Sequence, residues 1–368
     1  MHQVPIFSPA ASNADPLIQA AVLRVLSSQR FVMSTELAAF EKAFAEYLSV
    51  GHCVGVANGT DALELALRAV GVTSGSTVIC AANAGFYGST AIHAIGAKPV
   101  YVDVDDATLC LHPVELAKHL NAKPSAVIVT HLYGQLAHIE QLAELCHSRG
   151  IPLIEDCAQA HGAQRNGKMA GSFSDISCFS FYPTKNLGAL GDGGAVATDS
   201  ESLANVVRGL RQYGWRTKYD VGVQNGRNSR LDELQAAVLR VKLNSLDQQN
   251  SQRRAIAERY NQAFATLPLA LPCSVGTDYV AHLYVLRTDR RQDLRDHLQK
   301  LGISTEIHYP IADHRQLAYQ GLGDQPCLPI TEAACARVLS LPCYPGMNEG
   351  DISHVIYGVR SFFSTRGA

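Results

Sequence analysis

The sequence predicts an α/β protein: a large three-layer α/β/α domain with a mostly parallel sheet, then a smaller C-terminal α/β domain. Three observations carry this. The chain has 368 residues, too many for one ordinary core. From Val54 to Asp156, short apolar strand-like runs alternate with segments of helical spacing, the pattern of strands joined by crossover helices. A long amphipathic helix then leads into a second, shorter set of α and β segments. We place the large domain at residues 1–250 and the small one at 251–368.

Taken in order, residues 1–15 are polar and irregular. Residues 16–27 and 35–49 carry apolar side chains at helical spacing, such as Leu37, Phe40, Phe44 and Leu48. Val54 to Ala57 reads as a strand, Asn58-Gly59-Thr60 as a turn, and about 61–69 as a helix. Asp61 and Glu64 have the spacing of a capping box there. Strands are expected at 77–80, 99–104, 125–131 and 152–156, and helices at 86–95, 113–121 and 138–149. A further strand runs through Ile176 to Ser180, and a helix from Ser202 to Arg211. One helix is expected from about Leu231 to Phe264, with Leu234, Val238, Val241 and Leu246 on one face. The small domain reads as strand 281–287, helix 292–301, strand 303–306, and helices near 331–340 and 351–362.

Composition narrows the function. The chain is 47% hydrophobic and 17% charged, with a net charge of −2. That is ample for a large core and gives no footing for nucleic-acid binding. Its ten cysteines form no CxxC pair and no zinc-like spacing. Cys53, Cys80 and Cys178 sit in apolar runs as small buried hydrophobes, as suits a reducing cytoplasm. No apolar run approaches a membrane span, and no basic-then-apolar signal opens the chain. No metal site is expected.

Chemistry concentrates in two stretches. Ile176 to Ser180 is β-prone; Pro183 and Lys185 follow, and then four glycines, Gly188, Gly191, Gly193 and Gly194. A lysine held between a buried strand and a glycine turn is desolvated, which lowers its pKa and frees an amine to attack a carbonyl and form a Schiff base. Taken alone, the stretch reads equally as a surface lysine closing a strand. Upstream, Pro152 to Asp156 is an apolar strand ending in Glu155 and Asp156. A carboxylate at one strand end and a lysine just past another is the pairing pyridoxal phosphate (PLP) needs: the lysine holds the aldehyde, and the aspartate keeps the pyridine nitrogen protonated. Capping of the next helix is the plain alternative for Asp156, and Glu155 is the next candidate for the pyridine. Gly59 and Thr60 form a phosphate cradle, since bare amides and a helix dipole favour an anion; a capped helix with no ligand has the same sequence.

Four stretches occur in matching order and spacing over nearly the whole chain. They are Asn58-Gly59-Thr60-Asp61-Ala62-Leu63, Glu155-Asp156-Cys157-Ala158-Gln159, Ser180 to Lys185 with its glycines, and Asn228-Ser229-Arg230-Leu231-Asp232-Glu233-Leu234-Gln235-Ala236-Ala237. Together they resemble the DegT-type nucleotide-sugar aminotransferases, a branch of the fold-type I PLP enzymes. The resemblance implies an aspartate-aminotransferase-like fold and PLP as cofactor. It implies Lys185 as nucleophile and proton-moving base, and Asp156 as pyridine partner. It adds Ser180 to the phosphate cradle and puts Gln159 beside the ring oxygen. Asn228 would reach the phosphate of a neighbouring subunit, in a homodimer with shared active sites. His161 would face the sugar. His308-Tyr309-Pro310 with His314 resembles the family's HYPxPxH segment, with Ala312 in place of the second proline, and brings Tyr309 and His314 toward substrate. Asn83-Ala84-Gly85-Phe86-Tyr87 departs from the family's Asn-Thr-Phe. Gly85 stands where that ring-stacking phenylalanine would be, so Phe86 or Tyr87 is expected to take over the stacking, with Tyr87 favoured; packing of both rings in the core is the plain alternative.

The implied reaction moves an amino group from L-glutamate to a ketone of a nucleotide-linked sugar. Asn-Ser-Arg-Leu-Asp-Glu, with Ala-Gln-Ala-His-Gly after Asp156, is more similar to the branch acting at C3 of dTDP-3-keto-6-deoxyhexoses than to the C4-acting branch, which stays open as the alternative. A PLP-binding sensor without turnover is the other class. The family's dehydratases carry histidine at the lysine position, and Lys185 argues against that activity.

Overall fold

The computed structural model describes residues 2–319 and 326–364. Its centre is a seven-stranded sheet of β1 (His52–Val56), β2 (Thr77–Ala81), β3 (Lys98–Val102), β4 (Ala126–Thr130), β5 (Leu153–Asp156), β6 (Ile176–Ser180) and β7 (Gly194–Thr198). The spatial order is β1-β7-β6-β5-β4-β2-β3. β7 runs antiparallel to both neighbours, and all other pairs are parallel. One reversed strand accords with the glycine-rich connection after β6, which carries no helix to cross over the sheet.

Strand alternation builds two cores. Val78, Cys80 and Ile128 face one side, with Leu63 and Leu67 of α3 (Gly59–Ala69) and Val207 of α7 (Glu201–Leu210). Ile79, Val127 and Val129 face the other, with Leu116 of α5 (Pro113–His119) and Leu142 of α6 (Ile139–His147). At the sheet's other end Phe40 and Phe44 of α2 (Thr35–Leu48) pack on Phe179 and Phe181. Phe44 meets Phe179 edge-on at 4.9 Å, a favoured aromatic geometry. Two further helices of this part are α1 (Pro16–Ser28), whose Ala21 and Val25 pack on Ala237, and α4 (Tyr87–Ala94).

The C-terminal unit has its own core. Tyr260 and Phe264 pack with Tyr284, Leu294, Leu298, Leu339, Leu341, Val355 and Val359, and with Val4 from the start of the chain. Its elements are β8 (Tyr284–Arg287), α10 (Arg291–Lys300), α11 (Pro329–Arg337), β9 (Val338–Leu341) and α12 (Glu349–Ser364), with β8 and β9 antiparallel.

Several local expectations change. The long helix is two, α8 (Glu233–Leu243) and α9 (Leu246–Phe264). The Asn244 amide and Ser245 hydroxyl bond back to the Arg240 and Lys242 carbonyls, local bonding that competes with helix continuation. Residues 303–306 are no strand; Ile303 and Glu306 make isolated bridges to Val4 and Ser340. The helix expected to reach 340 stops at Arg337, and its last residues are β9. Helix α3 starts at Gly59, two residues early, because Asn58 and not Asp61 is the cap: its side chain accepts from the Asp61 amide at 2.8 Å.

Candidate active site

The carboxyl ends of β4, β5 and β6 and the N-terminus of α3 open on a cavity of about 540 Å³. Thr130, Asp156, Ser180, Gly59 and Thr60 line it, and Lys185 enters from the turn after β6. Parallel sheets place ligands at this end.

Lys185 is set by its own turn: its amide donates to the Tyr182 carbonyl at 2.8 Å. Below it, the Lys242 ammonium donates to the Gly188 carbonyl at 2.7 Å and pins the glycine segment. The Lys185 chain is part-exposed to the cavity, yet its amine sits deep among protein atoms. Burial pushes that amine down to about 8, and the Asp156 charge pulls it partly back. A good fraction is therefore neutral near physiological pH, as a nucleophile requires.

Asp156 and Glu155 are adjacent on β5 and so face opposite sides of the sheet. Asp156 faces the cavity; its oxygens accept from the Ala158 amide and the Thr130 hydroxyl, each at 3.1 Å. Burial raises its pKa against the Ala158 amide and the Lys185 charge. Glu155 faces away, fully buried, and accepts from His131 Nε2 at 2.9 Å and from the Gly171, Phe173 and Ser174 amides. Burial works against its charge, but these bonds win and hold it below the usual range. His131, Glu155 and Cys157 are close enough to suggest an ion site, but this carboxylate is already committed to protein donors.

Gly59 is where α3 meets β6: a Cβ there would lie 2.6 Å from Ser180 Cβ. Asn58 satisfies the Asp61 amide, which leaves the Gly59 and Thr60 amides without an intrahelical acceptor, as at any helix start. With the Ser180 hydroxyl, they make a small anion seat at the cavity wall. Gln159 completes this shell. Its Oε1 accepts from the Tyr133 amide at 2.6 Å and its Nε2 donates to the Tyr309 hydroxyl at 3.1 Å.

The other candidates separate. Tyr87 and Tyr309 line the cavity; Phe86 does not. Phe86 caps α4 with φ of 69° and stacks on His93 and Tyr319 instead. His161 is fully buried against Phe179 and Phe181, away from the cavity lining. Burial and then the Lys185 charge push it to about 3. His314 also stands off the cavity, its Nε2 2.9 Å from Glu332 of α11. The short 3-10 turn Asp313–Arg315 carries it there. Ala312 keeps φ at −65°, a value proline also takes, so that departure leaves the local backbone unchanged. Asn228 is exposed, bridges to Gln212, and lies outside its own chain's cavity.

Sequence reading missed Ile6 and Phe7, which reach the cavity because Val4 is anchored beside Ile303. It also missed His282 and left His308 unassigned; both line the cavity. The Asn186 amide donates to Asn250 and to the Val280 carbonyl, so its oxygen must accept from His282 Nδ1, 3.1 Å away. His282 Nε2 is then a bare acceptor. Burial, reinforced by the Lys185 charge, keeps this ring well below its usual pKa. A histidine within Ala281-His282-Leu283-Tyr284 gives no signal that separates it from core.

Pyridoxal phosphate fits these residues. An amine with no hydrogen-bond partner among the described residues, a buried strand-end carboxylate and a seat of helix-start amides are three separate sites matching its aldehyde, its ring nitrogen and its phosphate. Known proteins agree. The profile of the DegT/DnrJ/EryC1/StrS aminotransferase family matches residues 13–360. A dTDP-3-amino-3,4,6-trideoxy-alpha-D-glucose transaminase from Streptomyces venezuelae is 43% identical over 346 residues, 93% of this chain and 91% of that protein. A dTDP-3-amino-3,6-dideoxy-alpha-D-galactopyranose transaminase from Aneurinibacillus thermoaerophilus is 42% identical over 347 residues, 94% and 95% of the two chains. The crystal structure of S. venezuelae DesV in complex with a ketimine intermediate is similar with TM-score 0.95 at 41% identity, over 98% of this chain and 99% of that one. The chain belongs to the DegT/DnrJ/EryC1/StrS aminotransferase family and is a pyridoxal-phosphate-dependent aminotransferase.

Proposed function

We propose that this enzyme takes the amino group of L-glutamate and delivers it to the C3 ketone of a dTDP-linked 6-deoxyhexose. The observation that carries the chemistry is the amine of Lys185, pushed to about 8 by burial, in one cavity with the Asp156 carboxylate. Similarity to transaminases named for 3-amino sugars supports C3.

When bound, the cofactor supplies an aldehyde that carries the amino group and a ring that accepts electrons. Lys185 Nζ takes the proton from the amine-bearing carbon of the donor and returns one to the sugar carbon. Asp156 holds a proton at the pyridine nitrogen. The Gly59 and Thr60 amides and the Ser180 hydroxyl bind the phosphate. Gln159 lies beside the ring oxygen, its carbonyl fixed by Tyr133. The bare Nε2 of His282 faces the sugar side.

The site is shared across a homodimer in this proposal. Asn228 is exposed and outside its own cavity, and it reaches the partner's phosphate. Tyr182 at the cavity, with Tyr213, Tyr219 and Val221, leaves large apolar surface uncovered, as association surfaces do.

The test is incubation with L-glutamate and candidate keto-sugar nucleotides, followed by NMR location of the new C–N bond. A bond at C3 supports the proposal. A bond at C4 overturns the regiochemistry, and no amino transfer from glutamate overturns the donor.

A further inference from the structure

The cavity lacks the aromatic side chain that its own loop would be expected to give it. Between β2 and α4, Gly85 has no side chain, and the next residue, Phe86, turns outward onto His93 and Tyr319. Tyr87 follows at the cavity but is 50% exposed. The room beside Gly85 is nevertheless filled. A Cβ on Gly85 would lie 2.8, 2.9 and 3.0 Å from Cε1, Cζ and Cδ1 of Tyr309. Real Cβ atoms are not found this close to a ring, so a side chain at 85 and the Tyr309 ring exclude one another. Gly85 also has φ of +75°, where a side chain is strained in any case.

The Tyr309 ring is fixed from several directions. Its hydroxyl accepts from Gln159 Nε2 at 3.1 Å. Tyr87 meets it edge-on, centroids 6.1 Å apart. The Tyr133 hydroxyl donates to the preceding carbonyl, of His308. Four residues on, Asp313 fastens the segment to the large unit. Its amide donates to the Ala82 carbonyl at 2.7 Å, and its carboxylate accepts from the Phe86 amide at 3.0 Å and the Ser89 hydroxyl at 2.6 Å. Both ends of 308–313 are therefore tied to the rim carrying Gly85. Tyr309 and Asp156, the carboxylate assigned to the pyridine nitrogen, line the same cavity.

We propose that the Tyr309 ring, seated in the room Gly85 leaves, is the flat wall against which the cofactor's pyridine ring lies. The wall thus comes from the C-terminal part of the chain, while phosphate, lysine and aspartate come from the large unit. This rests on the reading of the cavity as the PLP site. It replaces both Phe86 and Tyr87 as the stacking residue. A planar heteroaromatic ring gains from an offset or edge contact with such a face beyond plain burial, and a wall held at both ends needs no ordering when the ligand arrives.

The test is titration of cofactor-free full-length protein with PLP, followed by absorbance and fluorescence quenching. Tyr309→Leu keeps bulk and loses the face, and should weaken PLP binding about five- to tenfold. Tyr309→Phe keeps the face and should stay within about twofold of wild type. Tyr87→Leu should also stay within about twofold. Gly85→Ala should weaken binding by displacing the ring, and should add little to Tyr309→Leu, because the collision is then gone. Thermal melts check that each variant folds, and Tyr309→Phe alone against Tyr87→Leu still ranks the two rings. If Tyr87→Leu loses as much as Tyr309→Leu or more, or if Gly85→Ala and Tyr309→Leu add fully, the wall is not Tyr309. Wild-type protein that takes up no PLP would sink the cofactor reading itself, a result separable from all of these.

Discussion

Lys185→Met removes a charge that the fold holds at a cost, and the size of that cost sets a measurable pH dependence. The wild-type amine is pushed from 10.5 to about 8, chiefly by burial. A base whose folded pKa is depressed contributes stability that is complete above its unfolded value and lost as pH falls through the folded one. The whole shift corresponds to about 3 kcal/mol. Between pH 9.5 and pH 7 the lost part is about 2 kcal/mol at most, since water in the cavity screens some of it. Methionine has similar length and no charge. Lys242, likewise lowered to about 8 by burial, is present in both proteins and cancels. The assay is urea unfolding of cofactor-free wild type and Lys185→Met at both pH values and one protomer concentration. Relative to wild type, the variant should gain up to about 2 kcal/mol on going from pH 9.5 to pH 7. Parallel pH profiles, or a variant that loses ground toward pH 7, would refute a buried, destabilised amine.

Five further outcomes are expected. Lys185→Ala should abolish multiple turnover, and Asp156→Asn should slow the half-reaction with glutamate by orders of magnitude while PLP still binds; stopped-flow absorbance measures both. Mixing Lys185→Ala with Asn228→Asp subunits under exchange should restore activity toward about a quarter of wild type, because one site of each mixed dimer carries neither lesion; no recovery with proven exchange refutes the shared site. Glu155→Ala should cost about 3 kcal/mol in urea unfolding, because it strips His131 and several amides of a buried acceptor, whereas a surface carboxylate would cost almost nothing. Asp313 is raised to about 6 by burial, so its contribution is complete below its unfolded value near 3.8 and disappears as pH rises through 6; relative to Asp313→Asn, wild type should lose about 2 kcal/mol between pH 4 and pH 7.

Much of the sheet is legible in the sequence because each strand is an apolar run bounded by turn residues. The places where reading fails have physical causes. Val338-Leu339-Ser340-Leu341 is too short for periodicity to separate strand from helix end, and only its pairing with Tyr284–Arg287 decides. The break at Asn244-Ser245 depends on which of two local bonding patterns wins. In the site, Lys185, Asp156, Gly59 and Thr60 stand at strand ends and are found locally. Ile6, Phe7 and His282 reach the cavity only through the C-terminal unit's packing. Tyr309 was found by resemblance, but its apposition to Gly85 joins positions 224 residues apart (309 − 85), and no local pattern announces it.

The reversed strand β7 also sets an order for synthesis. β1 has no partner in the sheet except β7, with His52 opposite Thr198. A nascent chain therefore carries His52–Val56 unpaired until nearly 150 further residues have been made, and a hydrophobic strand left open that long is a hazard on the ribosome. The anion seat waits for β6, since Gly59 rests on Ser180. The last wall of the pocket is translated more than a hundred residues later still. With Tyr309 as the proposed wall, cofactor capture would fall at the end of biogenesis, and a ribosome stalled between these points would hold a sheet-forming intermediate with no pocket to fill.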